Sequence, residues 1–153
     1  TYVNKLSTIL KSNVTLSPSK EVILNLICTC NYIVDKNAIF FKTFKITAPQ
    51  YNVLRILRGQ KLKPINLSLI QDRMVHKSSN AGRLVDKLVL KNLVERNICK
   101  SNRRKVEILI TSKGLDLLEL IEPKLIDLEN KNLNALSDNE ISTLNLLLEK
   151  LRE

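Results

Sequence analysis

The chain has 153 residues, 44% of them apolar and 26% charged, and carries a formal net charge of +10. That length suits one ordinary domain with a real core, and the composition excludes collagenous, low-complexity and disordered chains. No apolar run reaches the ~18 residues of a membrane span, and residues 1–16 lack the basic start, apolar middle and small-residue cleavage site of a signal peptide.

In chain order, Tyr2, Leu6, Ile9 and Leu10 suggest a short amphipathic helix. Ser17-Pro18-Ser19 starts a long helix through about residue 42. Its many apolar positions, Val22 to Val34 and beyond, are too much for one side, so it is expected to be covered on two. Thr47-Ala-Pro-Gln50 is a helix start, with a capping Thr, an early Pro and a Gln three residues after the cap. Tyr51, Val53, Leu54 and Leu57 form that helix's buried side, and it ends at Gly59. Lys61 to Pro64 reads as a loop, Asn66 caps a short helix over Leu67–Met74, and Val75 to Ser78 turns into the next. Ser79 and Asn80 open that next helix. Leu84, Val85, Leu88, Val89 and Leu93 form its buried stripe, while Arg83 and Lys87 stand four apart on the other face. Asn92, which tolerates left-handed backbone, stops it. Leu93–Ile98 and Val106–Ile110 are short and branched enough to be strands, and the segment Lys100–Lys105 between them is too polar to bury. Thr111 or Ser112 caps a helix from Lys113 to about Leu133, kinked at Pro123. Ser137 and Glu140 make a capping box for a last helix carrying Ile141, Leu144, Leu147, Leu148 and Leu151.

Two short helices with a turn between them, then a hairpin with a basic tip and another helix, describe a winged helix-turn-helix. The glycine usual in that turn is missing. The expected fold is mostly α with a small β-hairpin wing, in one domain over 1–153. A winged core over about 47–114 is flanked by dimerisation helices at about 17–46 and 115–153. The core can cover only one side of those Leu- and Ile-rich helices, and a second copy of the chain is the simplest cover for the rest.

Charge is unevenly placed. Residues 47–114 hold 15 Lys/Arg and 4 Asp/Glu, a net of +11, whereas residues 115–153 hold 4 and 9, a net of −5. A positive centre beside an acidic end suits a polyanion-binding unit with a separate packing element. Nothing points to catalysis. There is no Gly-rich phosphate loop, no acidic pair at a credible cleft, and one histidine, His76, which is expected to be a surface residue or phosphate contact. Cys28, Cys30 and Cys99 are odd in number and have no zinc-type spacing, so no metal and no cofactor is expected. Each thiol reads as a small buried apolar group in a reducing, cytoplasmic setting.

Over roughly residues 20–152 the chain resembles the MarR family of bacterial transcription regulators. Thr47-Ala-Pro-Gln-Tyr-Asn-Val-Leu-Arg-Ile-Leu57 is similar to the family's motif before its second helix. Ser79-Asn-Ala-Gly-Arg-Leu-Val-Asp-Lys-Leu88 resembles its recognition helix, and Leu93-Val-Glu-Arg96 the strand after it. Asn102-Arg-Arg104 and Ile110-Thr-Ser-Lys-Gly114 resemble the wing and its exit. Three positions depart from the pattern: Asn102 stands where the wing usually opens with Asp, Asn92 where the turn usually has Gly, and Gly82 where Ser or Thr is common. The resemblance implies a homodimer of winged helix-turn-helix subunits that binds palindromic double-stranded DNA operators and is often released by a small ligand or by oxidation.

In that frame Arg83, in the first exposed turn, has a fork of donors that grips guanine or phosphate. Asn80 can read adenine, and Ser78 and Ser79 can reach base edges or phosphates, with Ser79 also a candidate cap. Lys87 is expected on phosphate. Arg104 is the candidate for insertion into the minor groove, with Arg103 and Lys105 on phosphates. Tyr32, Phe40, Phe44 and Tyr51 either line an effector pocket or fill core. The reading is a cytoplasmic, homodimeric repressor released by a small-molecule effector. Its rivals are a cysteine-based oxidation sensor, a protein-interaction module that kept the fold without operator reading, and a sequence-blind DNA-compacting protein.

Overall fold

The computed structural model describes residues 6–11, 15–98 and 106–153. In order come α1 (Leu6–Leu10), α2 (Pro18–Thr43), α3 (Ala48–Arg58), α4 (Leu67–Arg73), α5 (Ala81–Val89), β1 (Val94–Ile98), β2 (Val106–Ile110), α6 (Ser112–Leu133) and α7 (Asp138–Lys150). It is a mostly helical chain with one antiparallel hairpin, a winged helix fold. Val94 pairs with Ile110 and Ile98 with Val106. Ile65 bridges the other edge of β2 at Ile108, each residue donating its N–H to the other's carbonyl.

Helix starts follow local chemistry. Ser17, Thr47, Asn66, Asn80, Thr111 and Ser137 sit in extended backbone, and each side chain accepts from the N–H three residues on. Thr47 with Gln50 and Ser137 with Glu140 complete both halves of a capping box. Of the two candidates for α6, Thr111 is the cap. At the start of α5 the expectation needs correcting: Asn80 alone caps, and the N–H of Ser79 donates to the His76 carbonyl instead. Two helix ends close in the same way. Asn92 has φ 58°, its N–H donates to the Val89 carbonyl, and the Leu93 N–H reaches the Leu88 carbonyl. Lys45, also at φ 58°, repeats the pattern after α2, through the carbonyls of Lys42 and Phe41.

The core gathers round α3, whose Val53, Leu54 and Leu57 are fully enclosed by Ile70, Met74, Val85, Leu88, Ile108, Leu118 and Ile121 from the surrounding elements. Gly114, at the start of α6, is where backbone meets backbone. A Cβ there would lie 2.4 Å from the Leu93 carbonyl oxygen and 2.8 Å from Ile110 Cγ1, so no larger residue fits without a shift.

α2 is not covered on two sides by this chain. Phe41 is its one buried residue, and Val22, Ile23, Ile27, Ile33, Val34 and Ile39 are exposed. α7 has no buried residue at all, although Leu144, Leu146 and Leu147 lie along it and Leu151 follows at its end. α6 runs from Ser112 to Leu133 with Pro123 inside it.

Candidate nucleic-acid interface

The helix-turn-helix is α4, the connection Met74–Asn80, and α5. Seven residues make a longer join than the tight turn expected, and without glycine it is held by side chains. Gln71, in the last turn of α4, donates from Nε2 to the Lys77 carbonyl at 2.9 Å and accepts from the Ala81 N–H at 3.1 Å. One amide thus joins the connection to the start of α5. Asn52 on α3 accepts from the Val75 N–H at 2.9 Å, and Met74 is buried as an apolar anchor. Lys77 also donates to the Asp72 carbonyl. Neither Gln71 nor Asn52 stood out in the sequence, because a polar residue that serves backbone groups looks like any surface amide.

α5 is strongly two-faced. Ala81, Val85 and Leu88 are buried against the core, with Leu84 and Val89 half-buried beside them. On the outer side, Ser79, Asn80, Arg83 and Lys87 line one shallow depression with Pro49 and Leu84. Ser78 is exposed in the connection just before it. Four of the expected recognition residues are therefore brought together and the fifth lies next to them. Asn80 is partly committed: its Oδ1 accepts from the Arg83 N–H at 3.0 Å, so its carbonyl already serves the helix, and its amide has two donors besides. A side chain at Gly82 would crowd that cap, with a Cβ 3.3 Å from Asn80 Oδ1. At the far end of the helix, Asp86 accepts from Arg96 at 2.6 Å, which ties α5 to β1.

The hairpin stands beside α5. Arg103, Arg104 and Lys105, with the departure at Asn102, lie outside the described residues. Behind the interface, Arg58 of α3 meets Glu122 of α6 at 2.5 Å, with Arg55 at 3.3 Å. The Arg58 hydrogen bond holds the Glu122 carboxyl below the usual carboxylate range and outweighs the opposing effect of burial. The same bond raises Arg58.

This architecture has close counterparts. A sequence profile of the MarR family matches residues 46–106. The chain is 31% identical to a MarR transcription factor from Planctomyces limnophilus, with 89% of this chain and 98% of that one covered and a TM-score of 0.70. The chain belongs to the MarR family of transcription regulators. The fold is shared with two more distant structures. S. aureus MepR, solved in a complex with DNA, is 18% identical at a TM-score of 0.72, covering 88% of this chain and 96% of that one. Bordetella bronchiseptica BpsR, whose DNA binding is regulated by 6-hydroxynicotinic acid, is 21% identical at 0.77, covering 92% and 99%. No curated protein matches the sequence.

In this MarR-family chain the four expected pocket aromatics do not form one wall. Phe44, Phe40, Phe41 and Tyr51 form a row of rings, with Phe44 and Phe41 each 5.2 Å from Phe40 and Tyr51 4.8 Å from Phe41. Tyr32 is 53% exposed and apart from them, with the Lys36 ammonium over its ring. The thiols also need correcting: Cys28 is half-buried and Cys30 exposed, so one chain does not bury them. Cys99 lies outside the described residues. His76 is exposed in the connection. Among the described residues, no group of His, Cys, Asp and Glu is placed to hold a metal ion, and no helix is long and apolar enough to cross a membrane.

Proposed function

We propose that this MarR-family chain is a sequence-specific, homodimeric repressor whose α5 reads the major groove of a palindromic double-stranded operator. The observation that carries the reading is the outer face of α5. Arg83 and Lys87, with Ser79 and the capping Asn80, converge on one exposed depression, on a helix whose opposite face is locked into the core. Arg83 and Ser78 are assigned to a base edge or phosphate, Lys87 to phosphate, Arg104 to the minor groove beside the wing, and Arg103 and Lys105 to phosphates. The net +11 of residues 47–114 supplies the sequence-independent attraction.

The dimer is assigned to α2, α6 and α7, because the first and last of these keep apolar faces exposed in one chain. Residues 1–153 act as one unit, with the winged core at about 47–114 between the pairing helices. Bound at a promoter, such a dimer blocks polymerase, and an effector that disfavours the DNA-bound form releases it. The DNA complex of MepR and the ligand-regulated DNA binding of BpsR, both of the same fold, support this reading. The expected setting is the cytoplasm.

Selection of bound duplexes from a random pool tests it. Enrichment of a palindrome is the expected result. Recovery with no enriched sequence removes the operator-reading role and leaves a sequence-blind or protein-binding one.

A further inference from the structure

The cap of α5 fixes where the helix begins along the chain, but not where that beginning stands in space. Asn80 Oδ1 accepts from the Arg83 N–H, a bond local to the start of α5. The N–H of Ala81, the first residue of the helix, goes instead to Gln71 Oε1 on α4, at 3.1 Å. Ala81 is 3% exposed, so water offers that N–H little replacement. Gln71 Nε2 meanwhile donates to the Lys77 carbonyl at 2.9 Å, in the middle of the connection. The amide can face only one way, since a carbonyl only accepts and an N–H only donates. None of Met74–Asn80 is glycine and none has left-handed backbone, so the connection has no glycine turn of its own to aim α5. Asn52 fixes its first part at the Val75 N–H and leaves the approach to α5 to Gln71.

A side chain reads a base edge only where its backbone is held to within about 0.5 Å. A phosphate contact through a long, flexible lysine tolerates more. Gln71 is half-buried, and both ends of its amide are engaged inside the chain, so it acts through α5 rather than on a duplex. We propose that Gln71 is a positioning residue for base reading: its bridge between Lys77 and Ala81 places the first turn of α5, with Arg83, against the base edges, and so sets sequence discrimination more than overall affinity. That role rests on the reading of α5 as the DNA-contacting helix. Of the two halves of the bridge, the bond to the buried Ala81 counts for more, because the Lys77 carbonyl lies in an exposed segment where water can take the place of Nε2.

The test measures the affinity of the full chain for the selected operator and for a scrambled duplex at the same salt, in the parent, Gln71→Ala and Gln71→Glu. The ratio of the two affinities should fall in Gln71→Ala by roughly threefold to tenfold, the range that goes with one lost hydrogen bond. Affinity for the scrambled duplex and its salt dependence should stay as in the parent, because the phosphate contacts are unchanged. Gln71→Glu keeps the acceptor for the Ala81 N–H and loses the donor to Lys77, so its ratio should lie between the other two. Its added negative charge weakens both duplexes alike and cancels in the ratio. Without DNA, hydrogen exchange at the Ala81 N–H should be faster in Gln71→Ala and close to the parent's in Gln71→Glu. Circular dichroism checks folding, and if Gln71→Ala does not fold, Gln71→Glu decides by whether its ratio drops below the parent's. An unchanged ratio in Gln71→Ala, including an equal loss on both duplexes, overturns the proposal. A ratio in Gln71→Glu below that of Gln71→Ala overturns it too, since that order belongs to an amide that touches the DNA itself. A parent that binds operator and scrambled duplex alike sinks the reading of α5 and the positioning role with it, whereas a discriminating parent with an indifferent Gln71→Ala sinks the positioning role alone.

Discussion

Arg83 and Lys87 are one turn apart on the same exposed face, yet different effects are expected on replacing them. Arg83 is near the capped start of α5, where a helix in the major groove comes closest to base edges, and its donor fork fits guanine. Arg83→Ala should cost ~1–3 kcal/mol on the selected site and much less on a scrambled duplex at the same salt. Lys87→Ala should weaken both about equally, because phosphate contacts position without specifying. Equal losses for Arg83→Ala would make it a phosphate clamp. Asn80 is then a poor substitute as base reader, since its Oδ1 is bonded to the Arg83 N–H and Asn80→Ala would lose the cap as well. Gly114→Ala belongs to the same scale. Its new methyl would meet the Leu93 carbonyl at 2.4 Å, a backbone atom that cannot swing away. Overpacking of this kind typically costs ~1–3 kcal/mol, and urea denaturation at neutral pH should show a midpoint lowered to match. An unchanged midpoint would mean that the start of α6 is free to shift.

Between elements, the cluster of Arg55, Arg58 and Glu122 is the polar tie from α3 to α6. The folded state holds Glu122 below its ordinary range, so the unfolded chain binds a proton there more readily. The stability this gives is complete above the ordinary glutamate range and is lost as pH falls through the lowered folded value. Glu122→Gln should therefore be less stable than the parent at neutral pH, and the two should converge in acid. Thermal melts across that range decide it, and a difference independent of pH would remove the ion pair as the cause. The elements themselves were legible because their signals are local. Thr47 with Gln50, Asn66, and Ser137 with Glu140 are short-range capping chemistry, and the strand at Val106–Ile110 is a branched run bounded by polar residues. The face of α5 was legible for the same reason, from the spacing of Leu84, Val85, Leu88 and Arg83. What escaped is long-range. Gln71 and Asn52 hold a glycine-free connection through partners up to 23 residues away, and the Asp86–Arg96 pair crosses from helix to strand. Composition cannot show which surface amide has a backbone partner. The choice between pocket and core for the aromatics stayed open for a related reason: Phe40 packs beside Phe41 and Phe44 beside Phe40, and the burial of Phe41 depends on a fold that periodicity does not contain.

For the whole molecule, the exposed apolar residues of α2 and α7 set the main expectation. A Leu-rich helix of 13 residues with none buried has no folding reason to be so apolar unless something else covers it. Leu144→Glu combined with Leu147→Glu should convert a dimer into monomers or insoluble chains, as read by light scattering. A parent protein that is already monomeric at micromolar concentration would remove the dimer and, with it, the palindrome. The cysteines belong at this scale too, since pairing of the α2 helices would decide whether Cys30 stays accessible to oxidants. The contact at Gly114 has a mechanical consequence as well. α6 has 22 residues and so extends ~33 Å from a pivot wedged against the Leu93 carbonyl, immediately after the turn that ends α5. A tilt of about 5° at that pivot sweeps the far end of α6 through about 3 Å over that length. Read in reverse, a displacement of about 3 Å at the far end of α6 reaches the end of α5 as a rotation of only about 5°.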